Sequence, residues 1–269
     1  MMVGNGRQEI KDQRFDQDVS DQKFNNKLFV RIVAKGKTFE NVDFMYSIFD
    51  AAYMRNCTFV ECSFVGCRFV NCNFVGSSFN GCKFDYATFE KIQIDNDVLS
   101  LCCPGPENLK LKFARSLRIN YQQLGDAKSA NKAMNVELAA TEEHHKKAWF
   151  SNESYYRQKY SGLRRIKAFT DWLDFKLLDF VWGNGENLFK FVRTVVLMLL
   201  IISLVDVLQS RDAGLLSSYW EAFNISPQIL FGITKPLYLT EGWQVAIFFA
   251  RLVMFAFFIS IVIKRYNRR

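Results

Sequence analysis

The chain has 269 residues, enough for two domains, and 16% of them are aromatic, which excludes a disordered polymer. Its net charge of +8 is uneven: residues 37–91 are nearly neutral, and the basic excess lies in the C-terminal two-thirds. At the start of the chain, residues 1–23 are polar, charged and unpatterned, and read as a loose tail or as an arm pairing with whatever follows.

From Phe24 to Leu99 a large apolar residue recurs every fifth position. Phe fills twelve of the sixteen slots, Met54, Ile94 and Leu99 continue the phase, and Ala34 interrupts it. A period of five fits neither a helix at 3.6 nor a strand at 2, so the unit turns a corner every five residues. Two residues before the centres stand small side chains such as Ser47, Cys57, Cys62 and Cys67, with short polar or charged ones next to them. This pattern resembles the pentapeptide-repeat family, closely over residues 42–89. The resemblance implies a right-handed quadrilateral β-helix over residues 24–100, with an inward core of Phe44, Phe49, Phe59, Phe64, Phe69, Phe74, Phe79, Phe84 and Phe89. Phe59 is then stacked on Phe79 and Phe64 on Phe84, and the open ends need caps.

Five of the seven cysteines fall in the inward small-residue slot, where a thiol acts as a small hydrophobe; a five-residue spacing spreads them around the coil, so no metal site is expected. With no signal segment ahead of the rod, reduced thiols in a cytoplasmic domain are expected. Some members of the resembled family mimic duplex DNA, which demands a dense negative face. The near-neutral rod lacks one, so nucleic acid is not an expected partner.

Cys102-Cys103-Pro104-Gly105-Pro106 breaks the rhythm. Residues 107–152 then read as a helical hairpin, with Phe113, Leu117, Tyr121 and Leu124 in one stripe and Ala130, Met134, Leu138, Thr141 and His145 in the next. These stripes pack on the rod's end or on a second copy. His144 and His145 are read as part of a solvated helix face. Residues 153–187, where Tyr155, Arg157, Arg164, Arg165, Trp172 and Trp182 interleave, resemble a nucleic-acid stacking surface in composition, but beside a membrane span they read as an interfacial helix.

Residues 188–269 form a two-span hairpin, with spans at Leu188–Leu208 and Trp243–Ile263. Lys190 and Arg193 can snorkel at the first entry. Basic residues flank the outer ends of the pair, including Lys264, Arg265, Arg268 and Arg269, so both termini are expected on the cytoplasmic side of the cell's inner membrane. Between the spans, residues 219–234 are apolar, too short to cross, and interrupted by Pro227, as a re-entrant half-helix would be. The region from 107 to 269 resembles the membrane part that follows pentapeptide repeats in channel-like bacterial proteins. Pore-loop candidates are Pro227, Gln228, Phe231, Gly232 and Thr234, yet no TVGYG-type filter is present, which argues against potassium selectivity. Within the spans, Arg251 and Asp206 are the polar site candidates, and Asp206 or Glu221 is the expected partner of Arg251.

No nucleophile-base arrangement, phosphate loop or H-E-x-x-H motif is present, so neither enzyme activity, a cofactor nor a metal is expected. The leading reading is a non-enzymatic membrane protein whose repeat rod is an interaction or oligomerisation module for a channel-like region. Its expected partners are the bilayer, further copies of the chain and a protein bound by the rod. A membrane-disrupting effector of an antiviral or stress-triggered system is the alternative, and a nucleic-acid-binding repeat protein the weaker third.

Overall fold

The computed structural model describes residues 6–185, 187–234 and 240–266; the part of the expected basic flank at Arg268 and Arg269 lies outside them. The chain divides into two compact units, Met1–Ala168 and Phe169–Arg269.

The first unit opens with a parallel-strand solenoid of about 4 turns. Its strands are β1 (Gln8–Lys11), β2 (Arg14–Phe15), β3 (Val19–Ser20), β4 (Lys27–Val30), β5 (Val33–Lys35), β6 (Thr38–Glu40), β7 (Ile48–Asp50), β8 (Tyr53–Arg55), β9 (Thr58–Val60), β10 (Arg68–Val70), β11 (Ser78–Asn80) and β12 (Thr88–Glu90). One face runs β1-β4-β7-β10-β12, a second β2-β5-β8, and a third β3-β6-β9-β11. The fourth is a ladder of single bridges, Lys23 to Asp43 to Ser63 to Lys83. Each centre residue lies over the one twenty positions earlier, so the rings stack in columns. Phe59 meets Phe79 with centroids 4.9 Å apart, Phe64 meets Phe84 at 4.9 Å, and Phe44 meets Phe64 at 5.2 Å with rings 4° from parallel. That spacing is the separation of hydrogen-bonded strands, so backbone ladder and ring column share one repeat. Neighbouring columns meet edge-on, as Phe44 does with Phe49 at 5.5 Å and 67°.

Of the two expectations for the N-terminal segment, the loose tail is corrected and the pairing arm is what residues 8–20 form. Residues 8–20 form the first coil, with Ile10 beside Phe29, Phe15 beside Ala34 and Val19 beside Phe39. The first two pairs are nineteen residues apart and the third twenty, so one residue is missing between Phe15 and Val19. That slip takes Ile10 and Phe15 out of the phase of the later centres, while their half-buried side chains still cover the core.

At the other end the expected stacking position Leu99 lies in a short helix, α1 (Val98–Leu101), and is buried there. Then α2 (Glu107–Gln123) and α3 (Ala127–Phe150) form the hairpin, with Gly125 at φ +74 between them and the Asp126 side chain accepting from the Ser129 N–H at 3.0 Å. Helix α2 closes the solenoid. Phe113 packs against Phe84 and Phe89, and the fully buried Asn120 amide binds both backbone groups of Ile92, accepting from its N–H at 2.7 Å and donating to its C=O at 2.8 Å. A side-chain amide thus stands in for the peptide of a further coil. The stripe on α3 is shifted from expectation: Ala130, Ala133, Glu137, Ala140 and His144 are buried, whereas Met134, Leu138, Thr141 and His145 are half-buried. Small residues let α3 approach α2 closely, and Glu137 is held by Arg115 at 2.8 Å and Arg118 at 2.7 Å.

The expected interfacial helix is two helices, α4 (Ser154–Lys159) and α5 (Leu163–Trp182), broken near Gly162 at φ +53. In the second unit the end of α5 leads through a left-handed turn, Gly183–Gly185, to α6 (Leu188–Ser210), α7 (Leu216–Phe231) and α8 (Glu241–Tyr266). Two of these, α6 and the Glu241–Ile263 stretch of α8, are long and apolar enough to cross a membrane.

Candidate functional site

Two clusters of polar groups in the second unit hold the residues singled out within the spans and the segment between them. The first is the turn from α6 to α7. Asp206 is fully buried on α6; the Arg211 guanidinium reaches back to its carboxylate at 2.9 Å and across to Glu221 on α7 at 2.7 Å, and the Ser210 hydroxyl donates to Asp206 as well. The expected pairing of Arg251 with Asp206 or Glu221 is therefore replaced by a bridge through Arg211. Position along the helices explains it. Asp206 lies four residues from the end of α6, about 6 Å, while Arg251 lies ten residues into α8, about 15 Å from its start. Arg211, just past the end of α6, is at the right level.

The second place is the end of α7. Pro227 sits inside this helix and cannot donate to the Phe223 carbonyl; the Ser226 hydroxyl donates to it instead, at 2.8 Å. The helix stops at Gly232, in the left-handed conformation at φ +75, where the N–H groups of Gly232 and Ile233 return to the carbonyls of Ile229 at 3.1 Å and Gln228 at 2.8 Å. The Thr234 hydroxyl donates to the Gln228 side chain at 3.0 Å, and Phe231 is exposed. Thus Pro227, Gln228, Phe231, Gly232 and Thr234 build a helix stop whose carbonyls close the turn, rather than an extended row of carbonyls facing a pore. The Arg251 guanidinium occupies the space where a side chain at position 232 would begin, so a larger residue there would have to displace it, and it lies over the Phe248 ring at 4.9 Å. Gln244 and Thr234 line the same notch, a cavity of about 160 Å³.

The basic entry of α6 is tied down rather than reaching outward. Lys190 binds Asp179 at 2.7 Å, and Arg193 lies over the Phe180 ring and donates to the Phe180 carbonyl.

In the first unit, His144 is corrected from a solvated face to a buried group. Its Nδ1 is 3.1 Å from the Tyr156 hydroxyl and its Nε2 is 3.2 Å from that of Tyr160, so α3 holds α4 through both ring nitrogens. Burial lowers its pKa to about 4, helped by His145 and Lys159 nearby. The i, i+4 spacing of Tyr156 and Tyr160 was the available sign that two hydroxyls share one helix face.

Along the rod, the inward small residues act as donors. The Ser47 hydroxyl donates to the Phe24 carbonyl and that of Ser77 to the Met54 carbonyl, each at 2.7 Å. In the same slot the thiols of Cys62, Cys67 and Cys72 reach the carbonyls of Phe39, Phe44 and Phe49 at 3.2, 3.0 and 3.4 Å. Burial pushes the Cys67 and Cys72 thiols up to about 12.

Residues 59–99 match the family model described as pentapeptide repeats, in 9 copies. The chain carries a pentapeptide-repeat solenoid. Among solved structures, a trypsin-treated form of QnrB1, a plasmid-mediated fluoroquinolone resistance protein, aligns at 16% identity over 34% of this chain and 64% of that one, with a TM-score of 0.14. The chain thus spans less than two thirds of that protein's length. Among curated proteins no match is found. In the pentapeptide-repeat solenoid the matched segment lies inside a larger coil series, since the ladder begins at Gln8 and includes the ring columns from Phe24 onward.

Proposed function

We propose that the chain is a non-enzymatic integral membrane protein, in which a pentapeptide-repeat interaction module is coupled to a channel-like two-span region without a potassium filter. The observation that carries this reading is the order α6, α7, α8: a spanning-length apolar helix, a 16-residue helix too short to cross, and a second spanning-length helix. Re-entrant backbone is tolerated where its ends are satisfied or covered. The Ser226 bond satisfies the Phe223 carbonyl that Pro227 leaves free, and the left-handed stop at Gly232 satisfies carbonyls at the C-terminal end of α7 in that manner. Outward faces bearing Leu200, Ile201 and Leu204 on α6, and Phe248, Phe249 and Leu252 on α8, call for a cover of lipid or of other copies. Two spans cannot enclose a pore, so conduction needs an oligomer, which we take to form with both termini and the rod on the cytoplasmic side. The neutral rod surface suits a protein partner better than nucleic acid.

The test is fractionation, oligomeric state in detergent and current in a planar bilayer. Membrane residence, a defined oligomer and single-channel steps support the reading. A soluble, membrane-free protein overturns it. A collapse of membrane potential on expression, without unitary currents and abolished by deleting 188–269, places the protein with membrane-damaging effectors instead.

A further inference from the structure

The acids and cations of α6, α7 and α8 are paired unequally. Asp206 and Glu221 both bind Arg211, at the turn of α6 and α7. Arg251, near the middle of the spanning stretch of α8, is left with the Phe248 ring and the Gly232 backbone; among the described residues no carboxylate pairs with it. Residues 235–239, which follow the notch in sequence, are Lys-Pro-Leu-Tyr-Leu and contain no acid. A permanent guanidinium charge at that depth calls for a counter-charge.

What surrounds Arg251 suits a small anion. The notch beside it holds about 160 Å³, several times the roughly 30 Å³ share of one water. Its polar lining is Arg251, Thr234 and Gln244; the Thr234 hydroxyl is already given to the Gln228 side chain, so the charged donor facing the notch is the Arg251 guanidinium, and Gly232 beside it carries no side chain. Ile229, Ile247 and Phe248 supply an apolar wall that strengthens charge–charge attraction. A metal cation finds no carboxylate there, and the fixed positive charge repels it.

We propose that the notch between the end of α7 and the middle of α8 binds a halide-sized anion on Arg251, and that permeation through the assembled protein is anion-selective. The selectivity limb rests on the channel-like reading above; the binding limb needs only the membrane fold. Charged rings of Arg or Lys set anion preference in pores, and one such residue per copy supplies a ring in any closed oligomer.

Purified full-length protein in detergent is titrated with chloride, or with bulky gluconate as control, while its thermal midpoint is followed; reversal potentials are measured in bilayers under a KCl gradient. Chloride is expected to raise the midpoint by a few degrees where gluconate does not. Arg251→Gln is expected to remove this shift and to reduce the chloride-to-potassium permeability ratio by about tenfold. Arg251→Lys keeps the charge and retains both effects in weakened form, which separates loss of the site from loss of folding. A chloride shift without any current supports the site while defeating the channel reading. Currents that are cation-selective and unaltered in Arg251→Gln overturn the inference while leaving the channel reading standing. Equal midpoints in chloride and gluconate overturn the binding limb as well.

Discussion

At the scale of single residues, the solenoid is governed by what fits inside a coil and what bends its corners. The position two after each centre adopts left-handed backbone, at Arg31, Ala51, Asn71 and Lys91 on one edge and at Asn26, Tyr46, Gly66 and Tyr86 on another, with φ between 51 and 68. For Ala51 this conformation costs about 1 kcal/mol relative to glycine. Ala51→Gly is therefore expected to raise the urea unfolding free energy by roughly 0.5–1 kcal/mol. The reverse change at Gly66 meets both obstacles. Its φ is +68, and an added Cβ would lie 2.6 Å from the Tyr46 ring, so Gly66→Ala is expected to lose on the order of 2 kcal/mol in the same assay. Thiol chemistry follows from burial. With Cys67 and Cys72 pushed up to about 12, only about one thiol in ten thousand is ionised at pH 8, so native protein treated with iodoacetamide should show both unmodified by mass spectrometry, with labelling appearing on denaturation.

At the scale of elements, stability is concentrated where one piece supplies another's missing partner. Asn120 does this for the last coil, and His144 does it for α4. The unfolded chain's histidine takes up a proton near 6.5, whereas buried His144 resists until about 4. Its contribution is complete above pH 6.5 and is lost as the pH falls toward 4, by up to about 3 kcal/mol. His144→Gln should flatten that part of the stability–pH curve, measured by urea midpoints between pH 7 and 4. In the second unit the Arg211 bridge joins α6 to α7. Arg211→Ala leaves the fully buried Asp206 carboxylate uncompensated and is expected to cost about 3–5 kcal/mol, visible as a lower thermal midpoint in detergent; Arg211→Ala with Asp206→Asn should recover much of it. Exchanging Arg251 and Asp206 should give no such recovery, because they lie at different levels.

At the scale of the whole molecule, the division into two units predicts separable behaviour. A fragment ending at Gly162 keeps the coils, the α2–α3 cap and the His144 clasp, and is expected to be soluble and to show helix and strand signals together by circular dichroism. Ending the fragment at Leu101 removes the cap, exposes the unpaired groups of the last coil along with Phe84 and Phe89, and should aggregate in light scattering. The hydrophobic surfaces differ in kind: the rod's rings are buried within its own coils, whereas α8 keeps Phe248, Phe249 and Phe255 exposed.

The sequence by itself determined the elements whose partners recur at a constant interval. The Phe columns, the inward small residues, the stop before α2 and the spanning length of α6 and α8 are legible because a coil of twenty residues, or a helix of spanning length, is a local rule. Ile10 and Phe15 escaped that rule through one missing residue, although the coil tolerates it. Only the tertiary structure decided that Asn120 closes the rod, that His144 is buried, and that Arg211 rather than Arg251 neutralises Asp206. Those partners lie from five to thirty residues apart, at separations that no single periodicity encodes. Their choice depends on burial and on depth along a packed helix, and both arise only when separate elements meet.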